Sequence, residues 1–187
     1  MPRAFHDLYP TTRVIVDTIE IPIAQPVDAY SQNQTFSNLS KRNTVKAMVG
    51  ITPNGAVSYI SDCYPGSTSD RRVVEDSNLY KHASRLFDEG DSIMADAKVA
   101  IEDLFAPFGV SVNLPATLEE KRHAGPKTKR MLVVRAISFL ETYKILNSEL
   151  SLELTKLCSQ IAYVTFSLVN LQKTMTDAKI LEKKRKR

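Results

Sequence analysis

The sequence predicts an α/β fold in which helices pack on a mixed five-stranded sheet. Short apolar runs, turn motifs and helical segments alternate between residues 13 and 114, and this alternation is typical of sheets covered by helices. From residue 118 onward the apolar residues recur with the period of a helix instead of a strand. The expected order is strand, hairpin, helix, strand, helix, strand and C-terminal helices.

The five strands are predicted from apolar runs bounded by turn residues. Residues 13–17 and 91–96 are short runs that each end in an aspartate, as central strands buried on both faces do. Residues 44–51 and 56–61 flank a Pro-Asn-Gly turn and should pair as an antiparallel hairpin. Residues 110–114 alternate before a proline and predict the fifth strand.

The helices are predicted from capping residues and periodicity. Ser69 or Asp70 can cap a helix that runs toward Phe87 with a break near Ser77. Residues 101–106 form a short helix that the following proline should end.

Two C-terminal helices complete the predicted fold, the first over residues 131–146. The second carries one apolar stripe, which we expect to pack in the core rather than to form a coiled-coil seam. The stripe consists of Leu154, Leu157, Ile161, Val164, Leu168 and Leu171.

Composition narrows the class of protein. A length of 187 residues with 43% hydrophobic and 25% charged residues fits a soluble globular domain. The net charge of +4 permits nucleic-acid binding without demanding it.

Cys63 and Cys158 form neither a disulfide framework nor a zinc motif, so we expect free thiols. No apolar run approaches the roughly 18 residues of a membrane span, and the N-terminus has no secretory signal pattern, so we expect an intracellular protein without a membrane partner.

Asp17 and Asp96 are the candidate catalytic residues, because each ends an apolar strand. A carboxylate there is costly unless it is solvated, paired or bound to a cation. If the two strands are neighbours, both carboxylates meet at one sheet edge and suit Mg²⁺ or Mn²⁺, the ions of two-metal phosphodiester chemistry. The pattern alone equally fits aspartates that cap a strand or turn. Glu20 alternates with Asp17 and should point to the opposite face.

Several segments, in order along the chain, resemble those of one family. They are Arg-Val-Ile-Val-Asp at 13–17, Gln-Thr-Phe-Ser-Asn at 34–38, Gly-Ile-Thr-Pro-Asn-Gly at 50–55, Gly-Ser-Thr-Ser-Asp at 66–70 and Gly-Asp-Ser-Ile-Met-Ala-Asp at 90–96. Through them the sequence resembles the Harbinger-type transposases of the DDE superfamily endonucleases. The resemblance implies an RNase H-like domain over residues 1–175, a basic tail over residues 176–187, metal binding by Asp17 and Asp96, and cleavage and strand transfer of DNA.

The sequence departs from this family at the third metal-binding carboxylate. The resembled segment has glutamate before Arg-Ala-Ile, whereas Val134 precedes that tripeptide here. Valine cannot bind a metal ion, so we expect a catalytically degenerate site. Glu141 lies seven residues further on, about 10 Å along a helix, and should be an ordinary surface residue. Asp70 is the other candidate third ligand, although a helix cap explains it better.

The resemblance also bears on partners and localisation. Relatives usually carry a DNA-recognition domain upstream, so DNA recognition would here come from a separate protein. A basic cluster could hold DNA phosphates or simply be solvated, and the basic run at 183–187 is a nuclear localisation signal or a solubilising tail. Two hypotheses follow: an active metal-dependent nuclease with a substitute third ligand, or a degenerate domain that persists as a DNA- or protein-binding module. The cluster consists of Lys121, Arg122, His123, Lys127, Lys129 and Arg130.

Overall fold

The predicted strands form one mixed sheet in a computed structural model, which describes residues 9–95, 99–113 and 143–171. Asp96, Val134, Glu141, the basic cluster and the run at 183–187 lie outside the described residues, so the predictions made for them stay predictions. Within the described residues, no helix is long and apolar enough to cross a membrane.

The sheet has seven strands in the described part of the chain. β1 pairs antiparallel with β3 and parallel with β6, and β6 pairs parallel with β7. β2, β4 and β5 all pair with β3. The α/β class and the five predicted strands are thus confirmed, with two further two-residue strands. The strands are β1 (Thr12–Pro22), β2 (Phe36–Ser37), β3 (Arg42–Ile51), β4 (Val57–Ile60), β5 (Tyr64–Pro65), β6 (Ser92–Met94) and β7 (Ser111–Asn113).

The hairpin between β3 and β4 closes as the sequence predicts. Val49 is the register partner of Ile60. Gly55 lies in the turn with a φ of 94°, in the left-handed region that glycine enters without steric cost. Its amide donates to the carbonyl of Thr52 at 2.8 Å. Turn chemistry readable from five residues therefore closes this hairpin, and the register of the two strands shifts by one residue between Gly50 and Ile51.

Short helices cover both faces of the sheet. They are α1 (Ala29–Thr35), α2 (Asp70–Asp76), α3 (Asn78–Lys81), α4 (Ala83–Leu86), α5 (Glu102–Phe105), α6 (Lys144–Asn147), α7 (Leu152–Thr155) and α8 (Cys158–Val169). The predicted break at Ser77 is confirmed, because its extended backbone ends α2 while its side chain caps α3. Pro107 does not end the helical segment: it occupies the first turn of a 3₁₀ helix that follows α5, where its missing N–H costs no hydrogen bond.

Two apolar cores lie on opposite faces of the sheet. On one face Val14, Val16 and Met48 pack with residues of α2 to α5, including the fully buried Phe105. On the other face, residues of β1 and β3 pack with α6 and α8, chiefly with Phe166. Because successive side chains of a strand point to opposite faces, Val14 and Val16 of β1 belong to the first core and Ile19 and Ile21 to the second.

The apolar stripe predicted for the last helix is largely exposed, so that prediction is wrong. Leu157 is 50% and Val164 56% exposed. The helix is also interrupted between α7 and α8, and α8 buries a different face that consists of Cys158, Ala162, Thr165, Phe166 and Val169. Small side chains on that face let α8 approach the sheet closely, with Phe166 as the one large residue inserted. Spacing alone could not distinguish between the two faces.

The two cysteines are free thiols, as predicted, but they lie in contact. Cys63, between β4 and β5, shares a hydrogen bond with Cys158 at the start of α8. That bond is the main cause that lowers the pKa of Cys158 to about 7 and raises the pKa of Cys63. The backbone amide of Cys63 also donates to Ser159 Oγ at 2.9 Å.

We expect Cys63→Ala to raise the pKa of Cys158 from about 7 towards the ordinary value of about 8.5. Removing the Cys63 thiol removes the donor that stabilises the Cys158 thiolate. At a pH between these two pKa values, Cys158 should be mostly a thiolate in wild type and mostly a thiol in Cys63→Ala. Ultraviolet absorbance of the thiolate across a pH titration measures this shift. Cys158→Ala is the control that should lack the transition, and an unchanged midpoint in Cys63→Ala would contradict the thiol–thiol contact.

Candidate functional site

Asp17 lies in the middle of β1, half-buried on the face of the second core. It is the register partner of Val49 on β3, and Ile19 and Ile21 point to the same face. Asp17 Oδ1 accepts a hydrogen bond from the backbone amide of Thr18 at 2.8 Å. Asp17 is less exposed to solvent than a typical surface aspartate, because it lies on an apolar face of the sheet beside α6 and α8. A partly desolvated carboxylate is stabilised by hydrogen bonds, by an ion pair or by a bound cation.

The strand that leads to Asp96 is the parallel neighbour of β1. Ile15 is the register partner of Met94. Asp17 follows Ile15 by two residues, and Asp96 follows Met94 by two. The strand adjacency on which the predicted metal site depends is therefore present, while Asp96 itself lies outside the described residues.

A buried polar cluster fixes the beginning of β6 against β1 and β7. Ser92 Oγ lies 3.1 Å from the hydroxyls of both Thr11 and Thr12. Asn113 Nδ2 donates to Ser92 Oγ at 2.8 Å. Ser92 is fully buried, so these bonds form out of water, where their geometry is restrictive. The cluster aligns three parallel strands just upstream of the two aspartates.

Asp70 lies with Lys46 on the opposite face of the sheet from Asp17. Asp70 Oδ1 is 2.8 Å from Lys46 Nζ, which also donates to the carbonyl of Thr68 at 2.9 Å. Lys46 shares its face of β3 with Met48 of the first core, whereas Val49, the register partner of Asp17, belongs to the second core. The structure therefore brings Asp70 together with Lys46 and not with Asp17.

Of the two predicted caps of α2, Ser69 is confirmed and Asp70 is wrong. The Ser69 side chain accepts from the backbone amide of Arg72 at 3.2 Å. Asp70 is the first residue inside the helix, where a carboxylate interacts favourably with the helix dipole. Serine and aspartate both suit the N-cap position, so only the backbone geometry decides which of the two side chains accepts the hydrogen bond from the Arg72 amide.

Glu20, Lys46 and Asp70 form a buried ion-pair network. Glu20 is the register partner of Lys46, and its Oε1 lies 3.7 Å from Lys46 Nζ. Its carboxylate also accepts from Ser37 Oγ at 2.8 Å and from Ser40 Oγ. The prediction that Glu20 faces away from Asp17 is confirmed. The network itself was missed, since neither cross-strand register nor the path of the 66–70 loop can be read from local sequence.

The described residues do not by themselves complete a metal centre. Across residues 9–95, 99–113 and 143–171, no three His, Cys, Asp or Glu side chains converge on a common point. Within the described residues, Asp17 is the metal ligand that the sequence predicted on this face of the sheet. Its carboxylate oxygens are hard donors of the kind that Mg²⁺ and Mn²⁺ prefer.

Comparison with known proteins assigns the family. The chain is similar over 87% of its length to a chain in the crystal structure of a pre-cleavage Mos1 transpososome, with 11% identity and a TM-score of 0.37. It spans 52% of the length of that chain. No curated protein matches it. The model of the DDE superfamily endonuclease family matches residues 16–170, from the first predicted catalytic strand to the end of α8. This chain therefore belongs to the DDE superfamily endonucleases.

Proposed function

We propose that this chain is a transposase-derived endonuclease domain that binds Mg²⁺ or Mn²⁺ through Asp17 and Asp96 but is catalytically degenerate. The observation that carries the proposal is the parallel pairing of β1 with β6. Ile15 and Met94 are register partners, and an aspartate follows each of them by two residues. Parallel strands in register bring residues at equal offsets to neighbouring positions.

The bound ions would activate an attacking oxygen and stabilise the leaving oxygen of a phosphodiester. The chain's own contribution is to hold carboxylates at fixed positions on a sheet. Asp17 has a backbone amide on Oδ1 and lies on a strand paired on both sides. Ser92 and its partners keep β6 aligned with β1. A rigid placement of this kind is what metal-assisted cleavage requires of its ligands.

Asp70 is left out of the proposed metal site. Its carboxylate is already paired with Lys46, and the cross-strand pairing of Glu20 with Lys46 puts that pair on the other face. The third position would belong to residue 134, where valine supplies no donor. This loss is the reason for proposing degeneracy. The alternative, an active nuclease with a substitute ligand such as Glu141, requires a carboxylate about 10 Å from the family position along a helix.

DNA is the proposed partner, and the nucleus the proposed location. Family membership supports DNA as the ancestral substrate, and the basic run at 183–187 supports the location. A degenerate domain of this kind would keep DNA or protein binding after losing cleavage.

The proposal is tested by Mn²⁺ binding and plasmid cleavage with the purified chain. We expect wild type to bind Mn²⁺ by calorimetry and to leave supercoiled plasmid intact. Asp17→Asn/Asp96→Asn should lose the binding, because two neutral amides replace two charged ligands. Val134→Glu should gain Mn²⁺-dependent nicking that the matched Val134→Gln variant lacks. Equal Mn²⁺ binding by wild type and the double variant would refute the metal site. Cleavage by wild type that the double variant lacks would refute degeneracy.

A further inference from the structure

A polar pocket opens just beyond the end of β1, on the side of the sheet formed by β2 and β3. Its volume is about 350 Å³, within the range of small-ligand sites. Among the side chains that line this pocket are two cations, three amides and one aromatic ring. They are Lys41, Arg42, Gln25, Gln32, Asn33 and Phe36.

The frame of the pocket is tied to the sheet by buried hydrogen bonds. Asn43 Nδ2, on β3, donates to the carbonyl of Gln32 at 2.9 Å and to Thr35 Oγ1 at 2.8 Å. Asp28 caps α1 by accepting from the amide of Ser31 at 2.8 Å. α1 itself contributes no buried residue. The side chains of α1 therefore face solvent and the pocket rather than the core.

The two cations are positioned by an unfavourable backbone conformation. Lys41 has a φ of 56°, in the left-handed region that costs a residue with a Cβ about 1–2 kcal/mol. Its amide closes the turn onto the carbonyl of Ser37 at 2.9 Å. This geometry starts β3 at Arg42, which pairs with Ser37, while the next residue of β3, Asn43, pairs with Phe36. Glycine or asparagine would fit the turn with less strain, so the charge at position 41 has another reason.

The charges of the pocket are available to a ligand. Lys41 and Arg42 are exposed, and neither forms an ion pair with a carboxylate in the described part of the chain. Glu149 also lines the pocket, so two cations face one carboxylate. The balance favours an anionic ligand, and a single phosphodiester matches two neighbouring cations.

The aromatic ring and the amides fit a nucleobase. Phe36 is 39% exposed although it lies in a strand. Exposed aromatic rings beside basic residues stack bases of unpaired strands, with the phosphates held by the cations. Side-chain amides donate to and accept from base edges.

We propose that this pocket binds an unpaired nucleotide of a DNA strand, with the phosphate on Lys41 and Arg42 and the base on Phe36. The inference rests on the proposed function in taking DNA as the partner. The lining residue Ile23 is six residues beyond Asp17 along the chain, about 20 Å at about 3.3 Å per residue. The nucleotide held here is therefore several positions away from any phosphodiester held at Asp17.

Fluorescence anisotropy with a labelled pyrimidine-rich single strand, in EDTA, tests this pocket without metal. We expect Lys41→Gln/Arg42→Gln to weaken binding at least 10-fold and to reduce the salt slope by about 0.7, the value for one phosphate contact on a single strand. Phe36→Leu should weaken binding about 5-fold or more while leaving the slope unchanged. Lys144→Gln/Lys156→Gln removes the same charge from exposed sites elsewhere and serves as the matched control.

Three outcomes would overturn the inference. Equal losses in the pocket double variant and the control would mean diffuse charge attraction. Unchanged affinity in Phe36→Leu would exclude base stacking. Displacement of the strand by an acidic peptide at lower concentration than by unlabelled DNA would mean a protein partner. Because the assay contains EDTA, it measures strand binding at the pocket separately from metal binding at Asp17 and Asp96.

Discussion

Gly66→Ala should destabilise the protein by about 3 kcal/mol, at the upper end of the usual cost of overpacking. A Cβ at this position would lie 2.6 Å from the carbonyl oxygen of Thr35 and 2.8 Å from that of Thr44, with Thr44 Oγ1 closer still. Backbone oxygens cannot rotate away as a flexible side chain can. The Gly66 amide also donates to the carbonyl of Thr44 at 2.9 Å, so the segment cannot move outward without losing that bond.

Thermal unfolding measures this effect, with an expected fall in Tm of about 2–4 °C per kcal/mol for a chain of this size. Gly55→Ala is the matched control. A Cβ there has nothing within 4 Å, but its φ of 94° disfavours alanine, so we expect a loss of about 1 kcal/mol from backbone strain alone. If Gly66→Ala cost no more than Gly55→Ala, the close approach of this loop to β3 would be refuted.

Lys46→Met should cost about 2–4 kcal/mol, because it leaves two carboxylates without their shared cation. The side chains of Lys46 and Glu20 are each 11% exposed, so Glu20 would remain almost buried with its charge. Asp70 is more exposed and should relax toward water. Methionine fills a similar volume, so the loss comes from the charges and not from a cavity.

The second substitution Glu20→Gln separates charge from packing. In Lys46→Met/Glu20→Gln the neutral amide oxygen can still accept from Ser37 and Ser40, and we expect it to recover part of the stability. Urea unfolding of both single variants and the double variant gives the coupling energy. Lys156→Met, at an exposed position, should change stability by less than about 0.5 kcal/mol. A double variant less stable than the sum of the singles would contradict the network.

Several elements were predictable because their causes are local. Residues 13–17 and 92–94 lie in strands because apolar runs of that length bury both faces, but β1 continues to Pro22 and does not end at Asp17 as predicted. The Pro-Asn-Gly turn closes the β3–β4 hairpin. Ser77 ends one helix and starts the next because its side chain competes with the backbone for hydrogen bonds. The face of Glu20 followed from strand alternation. α1 was missed because its seven residues have no apolar period.

The candidate site was predictable in part. The placement of Asp17 at a strand with a parallel neighbour follows from two similar apolar runs, and the structure confirms that β1 and β6 are adjacent. The role of Asp70 did not follow, because a Gly-Ser loop before a helix gives no information on which cation the loop will approach. The position of Lys46 opposite Glu20 depends on a register set by the whole of β1 and β3.

The sequence by itself determined the α/β class, the order of the predicted strands along the chain, the family, and Asp17 and Asp96 as the candidate ligands. These depend on periodicity, turn chemistry and motif, all of which act over a few residues. Only the tertiary structure decided that Lys46 joins Glu20 and Asp70, that α8 buries Cys158, Ala162 and Phe166 instead of its leucine stripe, and that Lys41 and Arg42 meet Phe36 at one pocket. Each of these depends on segments distant in the chain approaching one another, and the free energy that selects the approach comes from packing and desolvation across the whole sheet.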